Sequence, residues 1–150
     1  MTLCQYEVSA VITGRCECAT VKYQVQGELK DYCHCHCSIC RRIHGAAFVT
    51  WGGIARDEFS YVSGEDNVRS YSFSERADSL SCKTCSSTIL VDFKPEADML
   101  YITLGTVDGD IDLPDGLHQF VGSKAPWYEI CDNLPQYDEW SPEDAASLEQ

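Results

Sequence analysis

The chain has 150 residues, 44% of them hydrophobic, with 24 acidic and 11 basic side chains and a formal charge of −13. That length suits one domain over residues 1–150 that buries roughly 68–70% of its unfolded surface, so the ten cysteines are not compensating for a missing core. The acidic balance argues against nucleic-acid backbones, which need a basic footprint, and against an anionic membrane surface. A small molecule or a protein partner fits it better.

Compartment decides how the cysteines are read. The opening M-T-L-C-Q-Y-E-V has no basic region and no long apolar run, and nothing approaches a membrane span. The expectation is a cytoplasmic protein. There, closely spaced cysteines read as metal ligands or redox groups before they read as disulfides.

The predicted elements are mostly β. Residues 19–26 alternate, with Val21, Tyr23 and Val25 opposed to Thr20, Lys22 and Gln24, which is a half-buried strand ended by Gly27. An apolar run over 46–51 stops at Gly52-Gly53. Short β-rich segments at 59–62 and 68–73 flank S-G-E-D-N turn chemistry. Residues 88–93 and 99–107 are the strongest strands, with Pro95 and Asp98 between them, and Asp108-Gly109-Asp110 reads as a turn. Residues 118–121 and 127–130 look like further short strands. Helix is confined to one turn at 38–44 and a short acidic tail, 141–150. The tail has Ser141 as N-cap and Pro142 at the first helical position, and it reads as a solvated end. With no linker or repeat, the expectation is a single β-dominated domain.

The cysteines carry the chemistry. Cys16-Glu17-Cys18 is a C-x-C pair and Cys82-Lys83-Thr84-Cys85 a C-x-x-C pair. Zinc–sulfur bonds of about 2.3 Å place ligand sulfurs about 3.8 Å apart, and a C-x-x-C turn meets that spacing. So does a C-x-C whose side chains share one face of a strand. Together the four make a closed, structural zinc site that ties two distant parts of the chain. Cys35, Cys37 and Cys40 form C-x-C-x-x-C within one short loop. Three ligands leave a fourth position open, the pattern of a catalytic zinc. Cys33 leaves two alternatives: it closes that site, or it points elsewhere. Two such sites would move the charge from −13 to about −16. A redox pair or an iron–sulfur cluster would also use these thiolates, although neither common ferredoxin spacing is present. Cys4 and Cys131 stand alone and read as small buried hydrophobes.

These motifs resemble the glutathione-dependent formaldehyde-activating enzyme family, which includes centromere protein V. Gly14, Cys16, Cys18, Val21 and Tyr23 match an opening G-x-C-x-C-x-x-V-x-Y. Residues 35–48 match C-H-C-x-x-C-R-R-x-x-G-A-x-F with His36, Arg41, Arg42, Gly45, Ala46 and Phe48 in step. The Cys82–Cys85 pair, Gly105-Thr106-x-Asp108, His118 and S-K-A-P-W-Y at 123–128 complete the series, over about residues 14–137. The resemblance implies several coiled antiparallel β-sheets around zinc, as in methionine sulfoxide reductase B. It also implies one zinc on Cys16, Cys18, Cys82 and Cys85 and a second on Cys35, Cys37 and Cys40. The glycines usual after the C-x-C and the C-x-x-C are here Ala19 and Ser86, and Cys33 is extra to the pattern.

The implied activity is that of a carbon–sulfur lyase joining glutathione to formaldehyde to give S-hydroxymethylglutathione. A zinc-bound thiolate is a competent nucleophile, and zinc polarises a carbonyl oxygen. His36 and His118 are candidates by type for moving the proton, against readings as a supporting hydrogen-bonder and a satisfied strand histidine. Arg41 and Arg42 are candidates for a glutathione carboxylate, or for pairing with the chain's own acids. Trp127 either walls the pocket or is core. The alternative is a non-enzymatic zinc module that binds a protein partner or a thiol ligand, with residues 108–115 and the acidic tail as its surface. Sulfoxide reduction is a third reading, by fold analogy alone. The sequence leaves the oligomeric state open.

Overall fold

The structure is a computed structural model that describes residues 10–149; Cys4 lies outside the described residues. In chain order the strands are β1 (Val11–Arg15), β2 (Lys22–Gln26), β3 (Asp31–Cys35), β4 (Val49–Ala55), β5 (Phe59–Ser63), β6 (Val68–Ser74), β7 (Ala77–Cys82), β8 (Thr88–Phe93), β9 (Met99–Thr103), β10 (Val107–Asp108) and β11 (Gly116–Gln119). The described residues also form two short α-helices, α1 (Ser38–His44) between β3 and β4 and α2 (Pro142–Leu148) after β11. One sheet has the order β10-β1-β2-β5 and the other β11-β3-β4-β9-β8-β7-β6. The protein is mainly β, as expected. Pairing is antiparallel except at the edge of the larger sheet, where β11 runs parallel to β3. Among the described residues, no helix is long and apolar enough to cross a membrane.

The alternating residues of β2 behave as their pattern requires. Val21, just ahead of the strand, Tyr23 and Val25 are at most 1% exposed. With Ile12 they pack on Leu29 of the β2–β3 connection and on Ile54, Ile89, Leu90, Leu100 and Ile102 of the larger sheet, forming the core between the sheets. The other face of the larger sheet carries a second cluster of Cys35, Cys40, Val49, Trp51, Ala77 and Val91, edged by Cys33, Phe73, Phe93, Tyr101 and Phe120. Each fully buried Val, Leu or Ile in these clusters contributes about 1.5–3 kcal/mol relative to exposure.

Several expectations need correction. The 19–26 segment becomes strand only at Lys22, because residues 16–21 form a turn at a cysteine cluster. Gly52 and Gly53 do not stop β4, which runs through them to Ala55. They are there for close approach: a Cβ at Gly52 would meet Leu104 Cδ2 at 2.5 Å, and one at Gly53 would meet Asp31 Oδ1 at 2.4 Å. Residues 127–130 are turn and coil rather than strand. The tail helix is not merely a solvated end. Ser141 is 4% exposed and caps α2 by accepting from the Asp144 N–H, and the Gln119 side chain of β11 donates to the Asp144 carboxylate. Trp140, just before it, packs edge-on against Phe120 at 4.9 Å.

Candidate metal centres and the histidine chain beside them

Cys16, Cys18, Cys82 and Cys85 bring their sulfurs within 4.8 Å of one another. Cys16 Sγ lies 3.5 Å from Cys18 Sγ, and Cys18 Sγ lies 3.8 Å from Cys82 Sγ. These are the spacings of ligands on one tetrahedral ion. Cys16 and Cys82 are buried, at 1% and 0% exposure, and Cys18 and Cys85 are the more exposed pair. Burial pushes the Cys16 thiol up to about 11, while the Ser87 hydroxyl and the Cys18 N–H hold Cys85 down at about 5. The cluster joins the β1–β2 hairpin of one sheet to the β7–β8 hairpin of the other. The C-x-C lies in the hairpin turn and not on a strand as expected.

Both turns hold the residue after the second cysteine in the left-handed region, Ala19 at φ 61° and Ser86 at φ 66°. This lets the Ala19 N–H reach the Cys16 carbonyl and the Ser86 N–H reach the Cys82 carbonyl, each at 3.0 Å. A side chain there costs about 1–2 kcal/mol, while glycine adds about 0.4–1 kcal/mol of freedom to the unfolded chain. Ala19→Gly and Ser86→Gly are each expected to stabilise the fold by about 0.5–1 kcal/mol, raising the melting temperature by about 1–4 °C in calorimetry.

The second cluster sits where β3 meets α1. Cys35, Cys37 and Cys40 also have sulfurs within 4.8 Å of one another. Cys35 ends β3, Cys37 is the N-cap of α1, and Cys40 lies on its first turn. Cys37 Sγ accepts from the Cys40 N–H at 3.2 Å. S–H donation from Cys35 and Cys40 and the N–H groups of Cys40 and Ile39 lower the Cys37 thiol strongly, and Cys35 and Cys40 are raised in turn. Cys33 is not part of the set. It packs at the edge of the second apolar cluster, and burial pushes its thiol up.

Three imidazoles, two of them alternating with these cysteines in sequence, pack on one another with rings tilted by 35°. His36 Nε2 and His118 Nδ1 are 2.8 Å apart, and the His118 Nε2–H reaches both Asp132 oxygens, at 3.1 and 3.0 Å. His34 Nδ1 pairs with the Thr50 hydroxyl at 2.8 Å, and its ring lies 4.8 Å from that of His118. Phe48 and Tyr128 complete the packing around His36, with ring centroids at 5.1 and 6.1 Å. Burial and then the neighbouring His118 ring lower His36 to about 4. His118 is thus satisfied at both nitrogens, whereas His36 Nδ1 is buried with no partner among the described residues.

The remaining candidates are placed unevenly. Arg41 and Arg42 form no ion pair among the described residues, and Arg41 Nε is buried without a partner. Trp127 is 73% exposed, so it is not core; it lines a groove of about 510 Å³ with Lys124, Tyr128 and Gln136. Cys131 is exposed, contrary to its reading as a buried hydrophobe. Asp132 was missed, since 14 residues separate it from His118 and its only local signal is that of a turn former.

Fold and clusters together define a mainly β protein with two thiolate sets suited to zinc. The chain belongs to the glutathione-dependent formaldehyde-activating enzyme family, whose description matches residues 11–123. A Rhodobacter sphaeroides protein of known crystal structure shares the fold at a TM-score of 0.56 and 23% identity, over 65% of this chain and 89% of that one. No curated protein matches the chain in sequence.

Proposed function

We propose that the protein is a zinc-dependent carbon–sulfur lyase-like enzyme acting on glutathione or a related thiol adduct of the S-hydroxymethylglutathione type. The supporting observation is the three-sulfur cluster of Cys35, Cys37 and Cys40, from which Cys33 is absent. Three thiolates suit a tetrahedral ion with one position left for a ligand thiol, whereas Cys16, Cys18, Cys82 and Cys85 suit a closed structural one. Zinc bound at the open set would hold the thiol as thiolate and polarise the carbonyl. The chain's own groups supply the rest. His36 and His118, hydrogen-bonded to each other at 2.8 Å, are the candidates by type for the proton that joins or leaves the new hydroxyl. Trp127, exposed on the groove, provides a surface for the peptide part of the thiol, and Arg41 and Arg42 carry charge free to meet its carboxylates. The acidic surface and tail are the region a protein partner would use under the alternative reading.

The test is metal content and thiol binding on the purified protein. Two zinc ions per chain are expected, with glutathione perturbing the spectrum of a cobalt-substituted second cluster. Mixing glutathione with formaldehyde is expected to give S-hydroxymethylglutathione faster in the protein's presence. One zinc per chain and no response to glutathione would sink the lyase reading; visible absorbance of the untreated protein would indicate iron–sulfur instead.

A further inference from the structure

Each sulfur of the four-cysteine set has a hydrogen-bond donor beside it, and the donors divide by burial. Among the described residues, the two buried sulfurs meet N–H groups. Cys16 Sγ accepts from the Val21 N–H at 3.3 Å, and Cys82 Sγ accepts from Asn67 Nδ2 at 3.4 Å. The two more exposed sulfurs lie 3.2 Å from hydroxyls, Cys18 from Thr20 and Cys85 from Ser87. A metal-bound thiolate only accepts, so with an ion held these hydroxyls donate. Ser87 is prepared for this: its oxygen already accepts from the Glu17 N–H at 3.0 Å, which leaves its one hydrogen for Cys85. Four thiolates around a divalent ion carry a net charge of about −2. Water reaches Cys18, which is exposed, but not Cys82, at 0% exposure. The charge on Cys82 therefore depends on one side chain, Asn67.

Asn67 is delivered by a segment that touches both halves of the set. The turn between β5 and β6 carries the chain from the smaller sheet to the larger. At its start, the Ser63 hydroxyl donates to the Thr20 carbonyl at 3.4 Å. Gly64, at φ 75°, lies so close to that carbonyl that a Cβ would collide with it. At its end, the Asn67 carbonyl accepts from the Lys83 N–H at 2.8 Å, and Asn67 Nδ2 also donates to the Thr84 hydroxyl at 3.0 Å. Cys82, Lys83 and Thr84 of the C-x-x-C turn are thus all held by Asn67. We propose that Asn67 is a positioning residue of the four-cysteine centre: it holds the Cys82–Cys85 turn in the shape that presents its sulfurs, and it supplies the hydrogen bond that lets the buried Cys82 stay a thiolate beside three others. The inference is independent of the reaction proposed at the second set.

Two substitutions separate donation from the filling of space. Asn67→Ala removes the side chain. Asn67→Asp keeps its size and can still accept from the Thr84 hydroxyl, but it turns a charged acceptor toward a thiolate. The free-zinc concentration at which the full chain folds, set with a chelator buffer and followed by circular dichroism, reads this centre, because structural zinc and folding are coupled. Asn67→Ala is expected to need about 10–100-fold more free zinc than wild type, and Asn67→Asp about another 10-fold. A residue that only filled space would tolerate Asp better than Ala. Cadmium-113 NMR of the cadmium-loaded full chain adds a signature that packing alone does not give. In wild type the Asn67 NH2 protons are expected to couple to cadmium through the Cys82 sulfur, as the Val21 N–H does through Cys16. Asn67→Asp folding at a free-zinc level equal to or below that of Asn67→Ala would overturn the proposal. So would a wild-type protein in which Val21 couples to cadmium and Asn67 does not, a measurement that stands even if neither variant folds.

Discussion

Cys82→Ser is expected to leave the chain without a cooperative folded state at 25 °C. Cys82 is fully buried, its sulfur accepts from Asn67 Nδ2 at 3.4 Å, and it lies 3.8 Å from the sulfur of Cys18. Structural zinc on four thiolates contributes apparent folding free energy of about 10–16 kcal/mol. A domain has about 5–15 kcal/mol of net stability, so losing a ligand at a closed site exhausts it. The loss is amplified by position, because these four cysteines fasten the β1–β2 hairpin to the β7–β8 hairpin across the two sheets. Circular dichroism melting and zinc content would check this. A normal melting curve would contradict the structural assignment of this cluster.

Cys37→Ser is expected to do the opposite: the fold survives and thiol binding is lost. Cys37 caps α1 by accepting from the Cys40 N–H, and serine is among the best residues for that position. The helix start is therefore kept while one sulfur of three is removed. Changing even the outer partners of a metal ligand costs about 10–100-fold in metal affinity, so loss of a ligand should cost at least that. The zinc content should fall from two to one per chain and glutathione binding by about 100-fold or more, with a melting temperature within a few degrees of wild type. Retained glutathione binding would place the thiol site elsewhere. Together the two substitutions separate a staple from a working site.

Much of this arrangement was legible in the residues. Both cysteine sets could be read from spacing, because sulfur–metal geometry allows few ways to gather thiolates. β8 and α1 were read with their observed bounds, one from a β-branched apolar run and the other as a single helical turn overlapping the end of the C-x-C-x-x-C. β3 and β7 were not read as strands. D-Y-C-H-C hides its pattern in functional residues, and A-D-S-L-S-C buries serines at 4% and 7% exposure where apolar residues are expected. The glycines of β4 looked like stops because their close neighbours, Leu104 and Asp31, are brought in by the fold. The partner of His118 was invisible for a related reason. Asp132 is delivered by a segment that runs beside β11, where the His118 N–H donates to Pro135 and the Tyr137 N–H donates to His118. No local periodicity encodes that pairing.

The two cysteine sets also differ in when they can exist. Cys35, Cys37 and Cys40 fall within six consecutive residues, whereas Cys18 must find Cys82 across 64. Closing the longer loop costs about 2 kcal/mol more in chain entropy, and it needs the β7–β8 hairpin to have been synthesised. A thiophilic ion meeting the nascent chain would thus be offered the short set first. The four-cysteine set would be completed later, so the order in which the two sets can form is the reverse of their expected importance for stability.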